Sequence, residues 1–155
     1  MNSQYRCDGW SAPAVASTLE LADWANTTAV VKMNKALTDG VVRSGVTNYV
    51  VLDMAASLNG HRLCEKGVGL LEEKGLTHWT QSGASDKTEW VSQIRTLTTI
   101  FGPYQLQEGL HASYWGQLAM RNCLRLAYNS GAVRGGRCTN TTARNAGGEP
   151  NMMLA

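Results

Sequence analysis

Nowhere in its 155 residues does the chain run through 18 consecutive apolar side chains, so no segment is long enough to cross a bilayer as a helix. Charge is scarce as well: charged residues make up 17%, with Lys+Arg 14 against Asp+Glu 12, and the formal net charge is only +2. With apolar residues at 43%, this composition argues against a disordered tail, a coiled coil and a strongly basic nucleic-acid binder. No nucleic-acid partner is expected. The start, Met1-Asn2-Ser3-Gln4-Tyr5-Arg6, lacks the apolar stretch of a secretory signal, so no export signal is expected in the chain as written. The cysteines point the other way. Cys7, Cys64, Cys123 and Cys138 are an even count that suits disulfides and an oxidising compartment. The two observations agree if the natural polypeptide begins further upstream. The length suits one domain with a real core, or part of one.

The apolar pattern predicts few regular elements. Val30, Met33, Leu37 and Val41 recur at three- and four-residue steps and predict a helix over Ser17 to Thr38, stopped by Asp39-Gly40. Asn48-Tyr49-Val50-Val51-Leu52-Asp53-Met54 is short, nearly all apolar and rich in β-branched residues, which suits a strand buried on both faces in a parallel sheet. From Asn59 to Ser85 no period holds, and Gly60, Gly67, Gly69, Gly75 and Gly83 make it a long surface excursion. A second helix is expected with Trp90, Ile94, Leu97 and Phe101 as its buried stripe, Asp86 and Glu89 as a cap pair, and Gly102-Pro103 as its end. The clearest helix runs from about Ser113, a capping residue, to Tyr128, with Trp115, Ala119, Cys123 and Leu126 on one apolar face. Beyond Asn129-Ser130-Gly131 the chain turns. Gly135-Gly136-Arg137-Cys138 reads as a tether, and Thr139 to Ala155, polar and Gly-rich, as a flexible tail. The organisation expected is α/β, with a domain over 1–138 and a tail over 139–155. One strand cannot satisfy its own backbone groups inside a core, unless a second, weak one lies in Met1 to Ala16. The sheet is then incomplete or borrows strands from another chain, and its open edge is expected to drive self-association.

The chemistry concentrates in Glu108-Gly109-Leu110-His111-Ala112-Ser113-Tyr114-Trp115-Gly116-Gln117, a loop that delivers a histidine just before a capped helix. A carboxylate three residues ahead of a histidine can accept its Nδ1 proton and leave Nε2 as a general base, as a serine hydrolase requires. A lone histidine in front of a helix is more often structural. A second element, Gly60-His61-Arg62-Leu63-Cys64, follows the expected strand. With both elements, the stretch from Asn48 to Cys138, about ninety residues, resembles the C-terminal part of actinobacterial secreted SGNH hydrolases, also called GDSL-type esterases or lipases. In that family a last core strand is followed by Gly-His-x-x-Cys and a long loop. The catalytic block Asp-x-x-His-Pro-Asn comes next, then x-x-Gly-Gln and a closing helix. The resemblance implies a three-layer, flavodoxin-like α/β fold with only its C-terminal portion present. It also implies secretion, and hydrolysis of a small-molecule carboxylic ester with His111 as base and Glu108 as its orienting partner. No cofactor or metal is implied.

The departures from the family pattern are specific. Glu108 is one methylene longer than the usual Asp, and a misplacement of about an ångström can cost roughly a hundredfold in rate. Ala112-Ser113 replaces Pro-Asn, losing a rigid turn while Ser113 keeps a capping oxygen. The family's Gly-Asp-Ser nucleophile element, and the Gly and Asn blocks that hold the oxyanion, have no counterpart here. Gly-x-Ser-x-Gly does not occur either, and Cys7-Asp8-Gly9-Trp10-Ser11 lacks the flanking strand and helix that would place a serine. Two readings stay open. One is an SGNH-type ester hydrolase represented by its C-terminal part, inactive alone and completed by an N-terminal part outside this chain. The other is a non-catalytic remnant or binding module that keeps an aromatic cleft from Trp79, Trp90, Trp115, Tyr104 and Tyr114, residues that more often form core. His61 and Cys64 have metal-ligand spacing, but zinc needs three or four converging ligands, and disulfides are the more economical use of the cysteines. A bridge from Cys64 to the C-terminal region would pin the long loop to the core, although three pairings are open to four cysteines. Arg134, Arg137 and Arg144 read as solvated surface.

Overall fold

The structure, a computed structural model, describes residues 24–63, 65–92 and 111–155. The chain divides into a unit over Asn2–Val51 and a unit over Leu52–Ala155. In the first, a π-helical turn over Ala25–Ala29 leads into helix α1, Val30–Arg43. The part of the expected helix before Trp24 lies outside the described residues. Asp39-Gly40 does not stop α1, since a glycine in a helix interior costs only about 1 kcal/mol relative to alanine. The helix ends at Ser44-Gly45, where the Ser44 N–H donates to the Gly40 carbonyl at 3.0 Å and Gly45 takes φ +71°, a left-handed conformation that glycine adopts without strain. The stripe Val30, Met33, Leu37 and Val41 is present, yet α1 buries none of its residues, and Leu37 is 68% exposed. Lys35 and Asp39, one turn apart, pair at 2.7 Å.

The second unit holds strand β1 (Leu52–Ala56), a short helix α2 (Ala84–Lys87), helix α3 (Tyr114–Tyr128) and strands β2 (Gly136–Arg144) and β3 (Pro150–Leu154). The strands form one mixed sheet in the order β1-β2-β3, with β1 parallel to β2 and β3 antiparallel to it. The protein is therefore α/β. The expected strand is displaced: it starts at Leu52 rather than Asn48, and Tyr49, Val50 and Val51 are exposed. Among the described residues β1 has a ladder partner only on its β2 side, so most of the strand is half-buried and only Ala56 is fully covered. The excursion after Asn59 has structure of its own, a 3-10 turn over Glu72–Lys74 and then α2, and it contributes Leu76 and Ala84 to the core.

Thr139 to Ala155, expected from its polarity to be a tail, forms most of β2 and all of β3. Polarity was the wrong guide because Thr139 and Thr141 are β-branched and suit a pleated, half-covered surface, and Thr142, at φ +62°, falls where the ladder shifts register. The turn between the strands is closed by Asn145, whose Oδ1 accepts the N–H groups of Gly147 at 2.9 Å and Glu149 at 3.0 Å. An Asn side chain that mimics a backbone turn in this way is a strong local hairpin device. The last residue is tied down too, as Arg137 and Ala155 exchange N–H···O bonds of 2.7 and 3.1 Å. Gly136 is no tether: a Cβ there would come within 2.6 Å of the Ala155 carbonyl oxygen, and its φ of +145° disfavours a side chain.

Helix α3 lies over this sheet as its apolar spacing predicts. Trp115, Ala119 and Cys123 are buried against Trp90, Cys138 and Met152. A disulfide joins Cys123 of α3 to Cys138 of β2, with a Cα–Cα separation of 5.8 Å. Of the three pairings open to four cysteines, this bond selects the one that joins Cys123 to Cys138, so the bridge considered from Cys64 to the C-terminal region is not the one used. The face of α3 that carries Cys123 is turned onto β2, where Cys138 stands; Cys7 and Cys64 themselves lie outside the described residues. Next to it, Asn122 Nδ2 donates to the Pro150 carbonyl at 2.9 Å. Arg121 pairs with Glu149 at 2.5 Å, and that guanidinium holds the Glu149 carboxyl below its ordinary range. No helix among the described residues is long and apolar enough to cross a membrane.

The disulfide closes a loop with a sequence separation of 15. For a loop of that size the chain-entropy account gives about 3 kcal/mol. Urea unfolding of the Cys123→Ala/Cys138→Ala variant is expected to show a loss of this order, and coincident midpoints for variant and wild type would contradict it.

Candidate functional site

The site is built around Trp90, fully buried in the segment Thr88 to Ser92. Trp90 was expected on a helical stripe, but it stands in a bend after α2, and Asp86 lies inside that helix rather than capping one. The rest of the stripe, Ile94, Leu97 and Phe101, falls outside the described residues. A helix is not needed here because partners elsewhere in the chain take up the polar groups of Trp90. Its N–H donates to the His61 carbonyl at 2.8 Å, its carbonyl accepts the Ser113 N–H at 2.8 Å, and its Nε1 donates to the Ser85 carbonyl at 3.0 Å.

His61 is 6% exposed and lies flat against the indole, with ring centroids 4.0 Å apart and 6° between planes. Its Nδ1 is 2.9 Å from the Thr88 carbonyl oxygen. A carbonyl only accepts, so Nδ1 carries the proton in the neutral ring. Burial pushes the His61 pKa down and Arg144 adds to that, against the bond to Thr88 and the weaker pull of Asp86 and Glu65. Arg144 is not free surface. Its guanidinium carbon sits 5.6 Å from the Trp90 ring centroid, its Nε donates to Ser85 Oγ at 2.9 Å, and it forms an ion pair with Asp86.

His111 comes next to Trp90 through backbone pairing. Val91 and Ala112 form an antiparallel bridge, and the Ser92 N–H donates to the His111 carbonyl at 2.7 Å. The His111 residue is exposed. Glu108 lies outside the described residues. Ser113 occupies the N-cap position of α3 with extended backbone, as its spacing predicts, but its hydroxyl makes no cap bond and donates instead to the Glu89 carbonyl at 3.1 Å. The chain leaves this junction through Gly116, where a Cβ would come within 2.1 Å of the Trp90 carbonyl oxygen. Gln117 then folds back, its Nε2 donating to the Ala112 carbonyl at 3.1 Å. The Gly-Gln pair thus has a mechanical role: Gly116 admits the Trp90 backbone and Gln117 fastens the turn that carries His111.

Of the aromatic residues considered for a cleft, Trp90 and Trp115 are core, Trp79 is packed against that core and accepts the Trp115 Nε1–H on its carbonyl at 2.9 Å, and Tyr114 is exposed. Tyr104 lies outside the described residues. An open depression of about 250 Å³ lies between α3 and the hairpin turn, floored by Leu126 and Met152 and edged by Asn122, Arg125 and Asn145; His111 does not line it. The chain matches no family model, no curated protein and no solved structure.

The tight approach at Gly116 is directly testable. Gly116→Ala forces backbone against backbone and is expected to cost about 1–3 kcal/mol, the range for overpacked interiors. Gly40→Ala, where nothing lies within 4 Å, is expected to raise stability by about 0.5–1 kcal/mol. Equal effects of the two on denaturant midpoints would show that Gly116 is not a contact point.

Proposed function

We propose that this chain is the C-terminal part of an SGNH-type carboxylic ester hydrolase, of three-layer flavodoxin-like fold, with His111 as its general base and Glu108 as the orienting carboxylate. The observation that carries the reading is the junction of the two sequence elements that resemble the family. His61, from Gly60-His61-Arg62-Leu63-Cys64, accepts the N–H of Trp90, and Trp90 accepts the N–H of Ser113, two positions after His111. Elements distant in sequence share one hydrogen-bonded run, as parts of a single site do. The exposure of His111 is what a base facing substrate needs. Among the described residues β1 pairs on one side only, which suits a sheet continued by further strands. A disulfide persists in an oxidising compartment, which fits a secreted enzyme.

In this reading a serine on a Gly-Asp-Ser segment outside the chain attacks the ester carbonyl while His111 Nε2 takes its proton. The alkoxide leaves with that proton, and a water activated by His111 then cleaves the acyl-serine bond. The chain alone, lacking both nucleophile and oxyanion donors, is expected not to turn over p-nitrophenyl acetate or butyrate. Co-expression with the Gly-Asp-Ser-bearing polypeptide encoded immediately upstream is expected to restore turnover, and His111→Ala to lower it by about 10²–10⁴-fold. Restored turnover indifferent to His111→Ala would refute the reading, as would an upstream sequence without the Gly-Asp-Ser element.

A further inference from the structure

We propose that neutral His61 is a positioning residue that holds the His111 turn through Trp90, and that protonation of His61 releases this turn. The mechanical path is short. His61 supports Trp90 by a ring stack and by the bond from the Trp90 N–H to its carbonyl, and the Trp90–Ser92 segment grips the turn by the bonds Ser113 N–H to Trp90 O and Ser92 N–H to His111 O. The grip has no slack, because Gly116 already brings α3 against the Trp90 carbonyl.

The charges that face His61 among the described residues bear on what a second proton would do. Nδ1 is committed to Thr88, so the added proton goes to Nε2 in a buried ring. From β2, Arg144 already rests a cation on the same indole, and a second cation on that indole repels the first. The acids that favour the charged ring are both engaged: Asp86 of α2 with Arg144, and Glu65, on the loop of His61 itself, with Arg62. Buried Glu89 lies between Thr88 and Trp90 in the segment that would move. Burial and Arg144 prevail, in keeping with the downward shift of His61. When the junction opens, the ring regains its ordinary value of about 6.5. The closed form is therefore fully favoured above that pH and loses ground as pH falls below it, by at most about tenfold in the opening equilibrium per pH unit for one linked proton.

That the released residue is a catalytic base rests on the proposed esterase function; the coupling itself does not. Amide hydrogen exchange on the full chain, normalised for intrinsic rates, reads the coupling at Ser92 and Ser113, with Met153 in the β2–β3 ladder as reference. Between pH 7 and pH 5 the wild type is expected to lose protection at Ser92 and Ser113, by up to about tenfold per unit below pH 6.5, while Met153 holds. His61→Phe keeps an aromatic stack and His61→Asn keeps an amide donor for Thr88, and neither titrates. Whichever variant folds is expected to show no such pH dependence. A flat wild-type profile, an equal loss at Met153, or a folded variant that keeps the dependence would overturn the proposal. If the coupling stands while complemented ester turnover ignores His111→Ala, the esterase reading alone falls.

Discussion

Burial of the Trp90 side chain and backbone together is the constraint on which the rest of this unit depends. An indole brings a large apolar area into a core only if its N–H finds an acceptor, and a buried peptide unit needs partners on both sides. Here the three groups find theirs in three different parts of the chain: Ser85 within α2, His61 after β1, and Ser113 ahead of α3. No one of these bonds is strong, each contributing about 1 kcal/mol net. Their effect is geometric. Satisfying all three leaves one placement for the segment, and with it one placement for the chain on either side of Ser113.

Helix α3 transmits that placement. Its N-terminal turn is set against Trp90 through Gly116, and its middle is fixed to the sheet by the Cys123–Cys138 bond and by Asn122 on Pro150. These attachments hold the helix side-on both to the Trp90 segment and to the sheet, so the turn in front of it is fixed from two directions. This is the usual arrangement for a functional residue on a loop, exposed itself and held by buried neighbours. Ser113 shows the cost of that choice. Its hydroxyl makes no cap bond to α3 and is turned to the Glu89 carbonyl, which ties the helix entry to the Trp90 segment.

What the sequence makes readable divides by distance along the chain. The spacing of Trp115, Ala119, Cys123 and Leu126 identifies α3 because a helix repeats its buried face every three or four residues, a local signal. Asp39-Gly40 misleads because a stop signal competes with the cooperativity of a helix already under way. The hairpin after Gly136 is hidden by polarity, although Thr-rich stretches around an Asn-led, Gly-containing turn carry the strand signal for a sheet with one open face. The site is the least readable part. Gly60-His61, Trp90 and Gly116-Gln117 each carry a weak cue, but the ring stack, the bond to Thr88 and the arrival of Arg144 join residues with no periodic relation. Arg144, read as surface by its place near the end of the chain, could be assigned to the site only once β2 was known to run beside β1.

The parallel pairing of β1 and β2 explains why these residues meet where they do. In parallel sheets the chain leaves every strand at the same end, and ligand sites gather outside those carboxyl ends. β1 ends at Ala56 and turns through Ser57 to His61, while β2 ends at Arg144. The two strand ends therefore deliver an imidazole and a guanidinium to one place, and both reach the Trp90 ring. β3, antiparallel, runs the other way and supplies no residue to this cluster. Among the described residues β1 pairs only with β2, and a further parallel strand on its other side would end at the same level, next to the turn that leads into His61.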